Sequence, residues 1–493
     1  SSDNGNTWNT GWSKTYSEAS SSGQYNINET FKTADMGKNN VLFCLFYEGN
    51  TYNFNKWYFD DICIYPLSDK GADIQLSSID VNNVIKSGDI EISFTADNIS
   101  KEEITSFEAS YEIEGNDIVT ETFNTTIAPN QKQKVTFKKS VKLVPGTHEI
   151  KVNIISVNGK EDANDDNNSM SKEIRTFIKS IARTTMIEHF SSSTCAPCVL
   201  INSLMHKLTE ENPGKFTYTK YVVNYPGIGD PYYTAESGIR KDYYQATSVP
   251  RCFLDSELQL SGNAAQPVTK TKLLNRYDVP AFAEIRGAFN IDENNIIRIT
   301  ADVASYINIT DLRTLISVNE KTTTENASAN GETEFHHIMM KMLPNHEGTT
   351  LNLTSGELQQ FEFSYNMNET FVEELNDLEV AVWIQDYESF VIYNSNYLYE
   401  YTEHPYSVQN LKLADTDSTL LITWEAPEQG SPLGYNIYIN DELVAENHNE
   451  LSYSTKANGL TVAKVVAVYE NGKTSVGIAK KYASGDNVIE HNE

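Results

Sequence analysis

Two periodicities divide this chain. Along most of its length, apolar and β-branched residues come in short runs or strict alternation, as in "VLFCLFYEG", "IEISFTA", "HEIKVNIISV", "TLLITWEAP" and "AKVVAVYENG". Clusters of Asn, Asp and Gly bound these runs, which is the punctuation of strands joined by tight turns. Only the middle of the chain changes period. There "PCVLINSLMHKLTEEN" repeats apolar residues at helical spacing, with Pro197 in its first turn and Asn212-Pro213-Gly214 to stop it. "YTAESGIRKDYYQA" and "PVTKTKLLNRY" predict two further helices. The pattern predicts a multidomain, mainly β protein with one central α/β unit.

Bulk properties narrow the function classes. A chain of 493 residues is too long for one core and predicts about three to five domains. Its 39% apolar and 11% aromatic content is that of a folded protein. The net charge of −30 excludes nucleic acid as a partner, because phosphate binding needs surplus Lys and Arg, and it weakens association with anionic lipid. No apolar run approaches the roughly 20 residues of a membrane-spanning helix. The opening Ser1-Ser2-Asp3 is not an export signal, so an exported chain is expected to have had one removed. Five cysteines leave the redox compartment open.

The chemistry lies in "HFSSSTCAPCVLIN". Cys195 and Cys198 stand three positions apart, between the strand-like "IARTTMIEHF" and the first helix. Three uses fit such a pair: a redox couple, half of a zinc site, or a structural staple. Zinc needs a second pair of ligands, and none is spaced for it. His336 and His337 are adjacent, so on a strand they point to opposite faces and do not chelate together. A metal is therefore not expected here. An inert disulfide stays open, although so short a loop gains little from cross-linking. For redox work the position is apt: unpaired N–H groups at a helix start favour a thiolate. Dipole stabilisation of up to ~2 kcal/mol lowers a thiol by roughly 1.5 pKa units, from about 8.5 toward 7.

Strand, tight turn, C-x-x-C and helix in that order resemble the thioredoxin arrangement. The resemblance implies that Cys195 attacks a disulfide and Cys198 resolves the mixed disulfide. Pro197 between them resembles the C-x-P-C of thioredoxins and their membrane-tethered periplasmic relatives. Thr194 stands where the family places an aromatic residue, which bears on substrate binding. "QATSVPRCFLD" is similar to the segment carrying the thioredoxin cis-proline, so Val249 and Pro250 are expected to face the cysteines and pair with an extended substrate. Cys252 reads as a buried strand thiol. His189 occupies the place of the family's buried Asp, where an imidazole could shuttle a proton near neutral pH; the alternative is a His packed beside the sheet. "MIEHFSSSTCAPC", with Glu188 and Phe190, together with "FHHIMMKMLPNHEG" and "LEVAVWIQDYESFVIYNS", resembles the Omp28-related proteins of Bacteroidetes, which join a thioredoxin-like domain to a β-sandwich. On this reading 178–280 is thioredoxin-like and 281–403 an Ig-like β-sandwich.

The flanks read as β modules. "SSDNGNTW" forms a turn tied by Asp and Gly, and "FNKWYFDDICIY" resembles the closing strand of MAM-like jelly rolls, so 1–68 is expected to be the C-terminal part of one. Trp57, Tyr58, Asp60 and Asp61 are its candidate glycan or partner contacts, against a plain packing role for the same residues. Cys44 and Cys63 are expected on neighbouring strands, either bonded or as buried thiols. Residues 69–177 resemble CARDB-type Ig-like modules. There "DANDDNNSMSKE" puts Asp162, Asn164, Asp166 and Glu173 at the ligand spacing of a calcium loop, but Asn167 replaces the turn glycine and a solvated hairpin tip is the competing reading. Residues 404–485 resemble a fibronectin type III domain, with Trp424, Tyr435 and Tyr438 as core markers, and 486–493 is a tail.

Together the resemblances imply an exported protein at a bacterial cell surface, outer-membrane-associated or secreted. It is expected to be of binding or adhesion type, carrying a thioredoxin-like domain for thiol–disulfide exchange. The alternative is a dedicated extracytoplasmic thiol–disulfide oxidoreductase localised by its β domains. Expected partners are a protein thiol or disulfide substrate, or an extracellular protein or glycan ligand, and no cofactor is expected.

Overall fold

A computed structural model describes residues 1–14, 33–46, 48, 62, 64, 71–261, 264–265, 267–325, 330–416, 419–456 and 460–483. Among the described residues the fold is mainly β, with α-helices confined to the centre. Between 71 and 177 a three-stranded sheet (Ile74–Ile79, Ser93–Asn98, Lys132–Thr136) faces a five-stranded one that includes Gly146–Val157 and Ser169–Phe177. Alternating positions of both sheets close on Phe94, Phe107, Phe123 and Phe137, whose rings pack edge to face, tilted or, for Phe107 on Phe123, stacked. From 409 to 483 a three-stranded and a four-stranded sheet enclose Trp424, Tyr435 and Tyr469. In each case alternation along the strands put one face inward, as the pattern predicts.

At the amino terminus the turn of "SSDNGNTW" forms as read. The Asp3 carboxylate accepts from the Thr7 amide (2.9 Å) and hydroxyl (2.6 Å), and Gly5 takes a positive φ of 87°. The run "VLFCLFYEG" departs from expectation. Its described residues 41–46 lie in no strand, and Leu42, Phe43, Leu45 and Phe46 are exposed. Leu42 exchanges backbone hydrogen bonds with Ser1. Trp57, Tyr58, Asp60, Asp61 and Cys63 fall outside the described residues; Cys44 is exposed.

The centre is where pattern and topology part. Its main sheet has nine strands: β1 Thr185–Ser191, β2 Phe216–Val222, β3 Arg251–Leu254, β4 Glu257–Leu258, β5 Ile309–Thr323, β6 Phe335–Leu343, β7 Thr349–Leu353, β8 Leu378–Asp386 and β9 Ile392–Tyr397. Their order is β4-β3-β1-β2-β6-β5-β8-β9, with β7 also on β5. β1 and β2 run parallel, β3 is antiparallel to β1, and Lys220 of β2 bridges Ile338 of β6 in parallel. A single sheet therefore crosses the 280/281 boundary drawn from the sequence. The segments 178–280 and 281–403 form one unit, because pairing β2 with β6 covers an edge that a separate domain would leave open. A second sheet (Leu358–Asn366, Ile296–Ser305, Ala283–Ile291, Tyr399–Glu400) covers the β5–β8 part through Ile285, Phe289, Ile299, Ile316, Val318 and Val382.

The three helices form where helical spacing predicts them: α1 Ala196–Glu211, α2 Ala235–Tyr243 and α3 Lys270–Tyr277. Thr234 and Thr269 cap α2 and α3 by accepting from Ser237 and Lys272 amides. α1 buries Ile201, Met205 and Leu208 against Ile187, Tyr218 and Leu254 of the sheet. Alternation along β1 then divides its side chains. Ile187 belongs to the α1 side, and Phe190 packs on the opposite side with Tyr221, Tyr244 and Phe253.

Candidate functional site

Cys195 and Cys198 are joined in a disulfide at the start of α1. Cys195 is the helix N-cap, in extended conformation, and its Sγ accepts a hydrogen bond from the Cys198 amide at 3.2 Å. Pro197 sits in the first turn, where its missing N–H costs nothing. The loop before the pair is pinned by Asp230, whose carboxylate accepts from the Ser193 amide (2.8 Å) and the Ser192 and Ser193 hydroxyls. Thr194 accepts from the Gly227 amide at 3.1 Å, so the residue in the aromatic's place ties two loops together. A Cβ on Gly227 would come within 2.8 Å of the Thr194 Oγ1, which is why that position is bare.

Both cysteines are buried, Cys195 at 1% and Cys198 at 0% exposure. The cover comes from the far side of the chain, in the connection between β5 and β6. The Asn330 side chain donates to the carbonyls of Cys195 (3.2 Å) and Ser192 (3.5 Å), and its amide donates to the Ser193 carbonyl. Glu332 accepts from the side chains of Asn330 and of Asn202 on α1, each at 2.7 Å. The spacing of the motif carries no sign of this, since Asn330 is 135 positions from Cys195.

Beneath α1 lies a group of polar side chains that a sheet interior seldom holds. His189 is fully buried; its Nδ1 meets the Tyr218 hydroxyl at 2.6 Å, while its Nε2 has no hydrogen-bond partner. Burial, and then the nearby Lys220 charge, holds this imidazole well below its ordinary value. Burial therefore favours the neutral imidazole, and the hydrogen bond to Tyr218 agrees with a His packed beside the sheet. Lys220, its partner across the β1–β2 ladder, is buried and pushed down to about 8 by that burial, with Glu332 and the Cys252 thiol acting in the opposite sense. Cys252, opposite His189 on β3, is pushed up to about 12 by burial, so it stays a thiol as the sequence suggests. The signal for Lys220 was present in "FTYTKYVV": a lysine on the inward phase of a fully buried strand.

Val249–Pro250 is one of three cis X–Pro bonds among the described residues, and it leads directly into β3, whose Arg251 pairs with Phe190. Glu188 serves the opposite side of the sheet. Its carboxylate accepts from Arg240 (2.5 Å), Tyr221 (2.8 Å) and Tyr244, a buried pair that docks α2. Alternation along β1 therefore places Glu188 on the face away from α1.

No protein-family model matches the chain, and no curated protein matches it. Among solved structures it is similar to HBP35 of Porphyromonas gingivalis, at 14% identity over 62% of this chain and 99% of that one, TM-score 0.39. It is also similar to the CARDB domain of the PF1109 protein from Pyrococcus furiosus, at 16% identity over 23% of this chain and 99% of that one, TM-score 0.20. The FN1–FN3 domains of chicken CNTN1 match at 11% identity over 84% and 98% of the two chains, TM-score 0.20. Likenesses this distant carry neither family membership nor function.

The side chains at the calcium-loop spacing have partners of their own. The Asp162 carboxylate is committed to the backbone amides of Ile74 (2.8 Å) and Asn164 (2.9 Å), and burial raises it to about 6. Asn164 caps a short turn over Asp165–Asn167, and Glu173 lies exposed on a strand beside Arg175. These hydrogen bonds favour the hairpin-tip reading of the stretch. Adding millimolar calcium is expected to leave the melting temperature unchanged, as read by differential scanning calorimetry. Among the described residues no helix is long and apolar enough to cross a membrane.

Proposed function

We propose that this chain is an exported, cell-surface binding protein of several β modules whose central unit is thioredoxin-like and performs thiol–disulfide exchange through Cys195 and Cys198. One observation carries the redox part: Cys195 caps α1 with its sulfur on the Cys198 amide, so the donor that would stabilise a thiolate is already in place. In the reduced chain the Cys195 thiolate attacks a substrate disulfide, one substrate sulfur leaves as thiolate, and Cys198 displaces the other as the internal disulfide reforms. Lys220, below α1 and titrating near 8, is the group suited to supply or take the proton of the resolving thiol, with His189 and Tyr218 fixing its surroundings. Val249 and Pro250 are assigned to substrate pairing and Thr194 to the rim of the site.

Burial of both sulfurs favours a second reading, in which the pair is a staple inside a purely adhesive protein. The two separate on access. If the pair is used, the Asn330 segment opens, and Asn330→Ala raises the rate at which dithiothreitol reduces the disulfide. A rate equal to that of the native chain would favour the staple. Insulin reduction by the full chain, with a Cys195 variant as control, tests the exchange activity itself. Localisation is tested by surface biotinylation of the producing cells.

A further inference from the structure

We propose that His206, Glu334 and His336 form a site for a divalent transition-metal cation of the zinc class. The three side chains come from the middle of α1 and from the start of β6, and their ligand atoms lie within 4.8 Å of one another. The two imidazole rings stack at 3.7 Å between centroids, inclined by 8°. His336 Nε2 faces the Glu334 carboxylate at 3.4 Å, while its Nδ1 meets the Thr322 hydroxyl at 3.2 Å. That division of labour is the one a metal-ligating histidine uses: one nitrogen toward the ion, the other fixed by a neighbour. His206 Nε2 in turn faces Glu210, one turn along α1, at 3.6 Å.

The donor set selects the ion. Two neutral imidazoles with one carboxylate suit zinc, which takes N and O ligands at about 2.0–2.2 Å in tetrahedral geometry. Calcium asks for about six to eight oxygens, and magnesium for octahedral oxygen ligation, which this set does not offer. Ligand atoms of a tetrahedral ion sit about 3.3–3.5 Å apart, which follows from those bond lengths. Turning the partly exposed His206 and Glu334 side chains closes the remaining gap while Thr322 holds His336. The fourth position falls to Glu210 or to water. His337 takes no part: its Nδ1 is bound to Glu379 at 2.7 Å. The pair that does meet, His206 and His336, is separated by 130 positions, which explains why motif spacing gave no sign of it. Neither cysteine is a ligand, so the site stands apart from the exchange reading. A bound ion would tether α1 to the segment carrying Asn330 and Glu332.

The test uses the full-length, tag-free chain with its disulfide intact and its free thiols alkylated, after chelator treatment. Isothermal titration with zinc chloride is expected to give one site per chain, confirmed by elemental analysis after desalting, together with a higher melting temperature. His206→Ala, on a partly exposed helix face, is expected to abolish that site without loss of the fold by circular dichroism. Thr322→Val is expected to weaken binding about 10–100-fold. No stoichiometric zinc uptake by the native chain, or unchanged uptake by His206→Ala, overturns the proposal.

Discussion

Cys195→Ser is expected to reduce insulin disulfides no faster than buffer, while the native chain turns over in the same assay. The reason is positional. Of the two sulfurs, the one at the N-cap receives the Cys198 amide and the field of α1, and a serine hydroxyl there has no accessible anion near neutral pH. Cys198 lies in the first turn rather than at the cap and is not the sulfur that receives the amide, so it does not replace Cys195 as the attacking group. Cys198→Ser gives a different outcome. The first attack still occurs, but the mixed disulfide is not resolved and accumulates, so mass spectrometry of a non-reducing digest should find substrate attached at Cys195. Equal and negligible rates for the native chain and both variants would remove exchange from the function and leave a binding protein with a cross-linked turn.

Lys220→Met is expected to stabilise the fold at pH 7 by about 3 kcal/mol. Burial lowers the ammonium from 10.5 to about 8, and at about 1.4 kcal/mol per unit that displacement corresponds to about 3 kcal/mol. The sign follows from proton counts. Between about 8 and 10.5 the unfolded chain holds a proton that the folded chain has lost, so native stability rises with pH across that window. Below it the full cost is present; above it, none. The advantage of methionine should therefore be largest at pH 7 and vanish toward pH 10.5. Urea unfolding of both proteins at the two pH values measures this. A methionine variant no more stable than the native chain at pH 7 would mean that the ammonium is fully compensated in the fold. Retention of so costly a group beside Glu332 and Cys252 agrees with a role in proton transfer, and the same variant is then expected to slow exchange while gaining stability.

These results bear on how far the chain could be read directly. Local signals were reliable because they depend on neighbours in sequence. Helical spacing located α1, α2 and α3, Pro197 marked the start of α1, and Asp3 with Gly5 announced a turn that forms. Alternation identified strands of both flanking sandwiches, and the fibronectin resemblance pointed to Trp424, which is buried. The C-x-x-C pair at a helix start was legible for the same reason. Ligand spacing says nothing of other commitments: Asp162, at the first position of the calcium-like stretch, accepts from the Ile74 amide 88 positions away.

What the sequence alone determined, then, is the set of elements and the sulfur pair at the head of α1. Tertiary structure decided the rest: that β2 pairs with β6 and fuses two expected domains, that Asn330 roofs the disulfide, that Lys220 and His189 are buried side by side, and that His206 meets His336. Periodicity reports which face of an element is buried, through a free energy roughly proportional to area. It does not report which distant segment does the burying, because that choice depends on edges, shapes and charges that meet only after the chain has closed on itself.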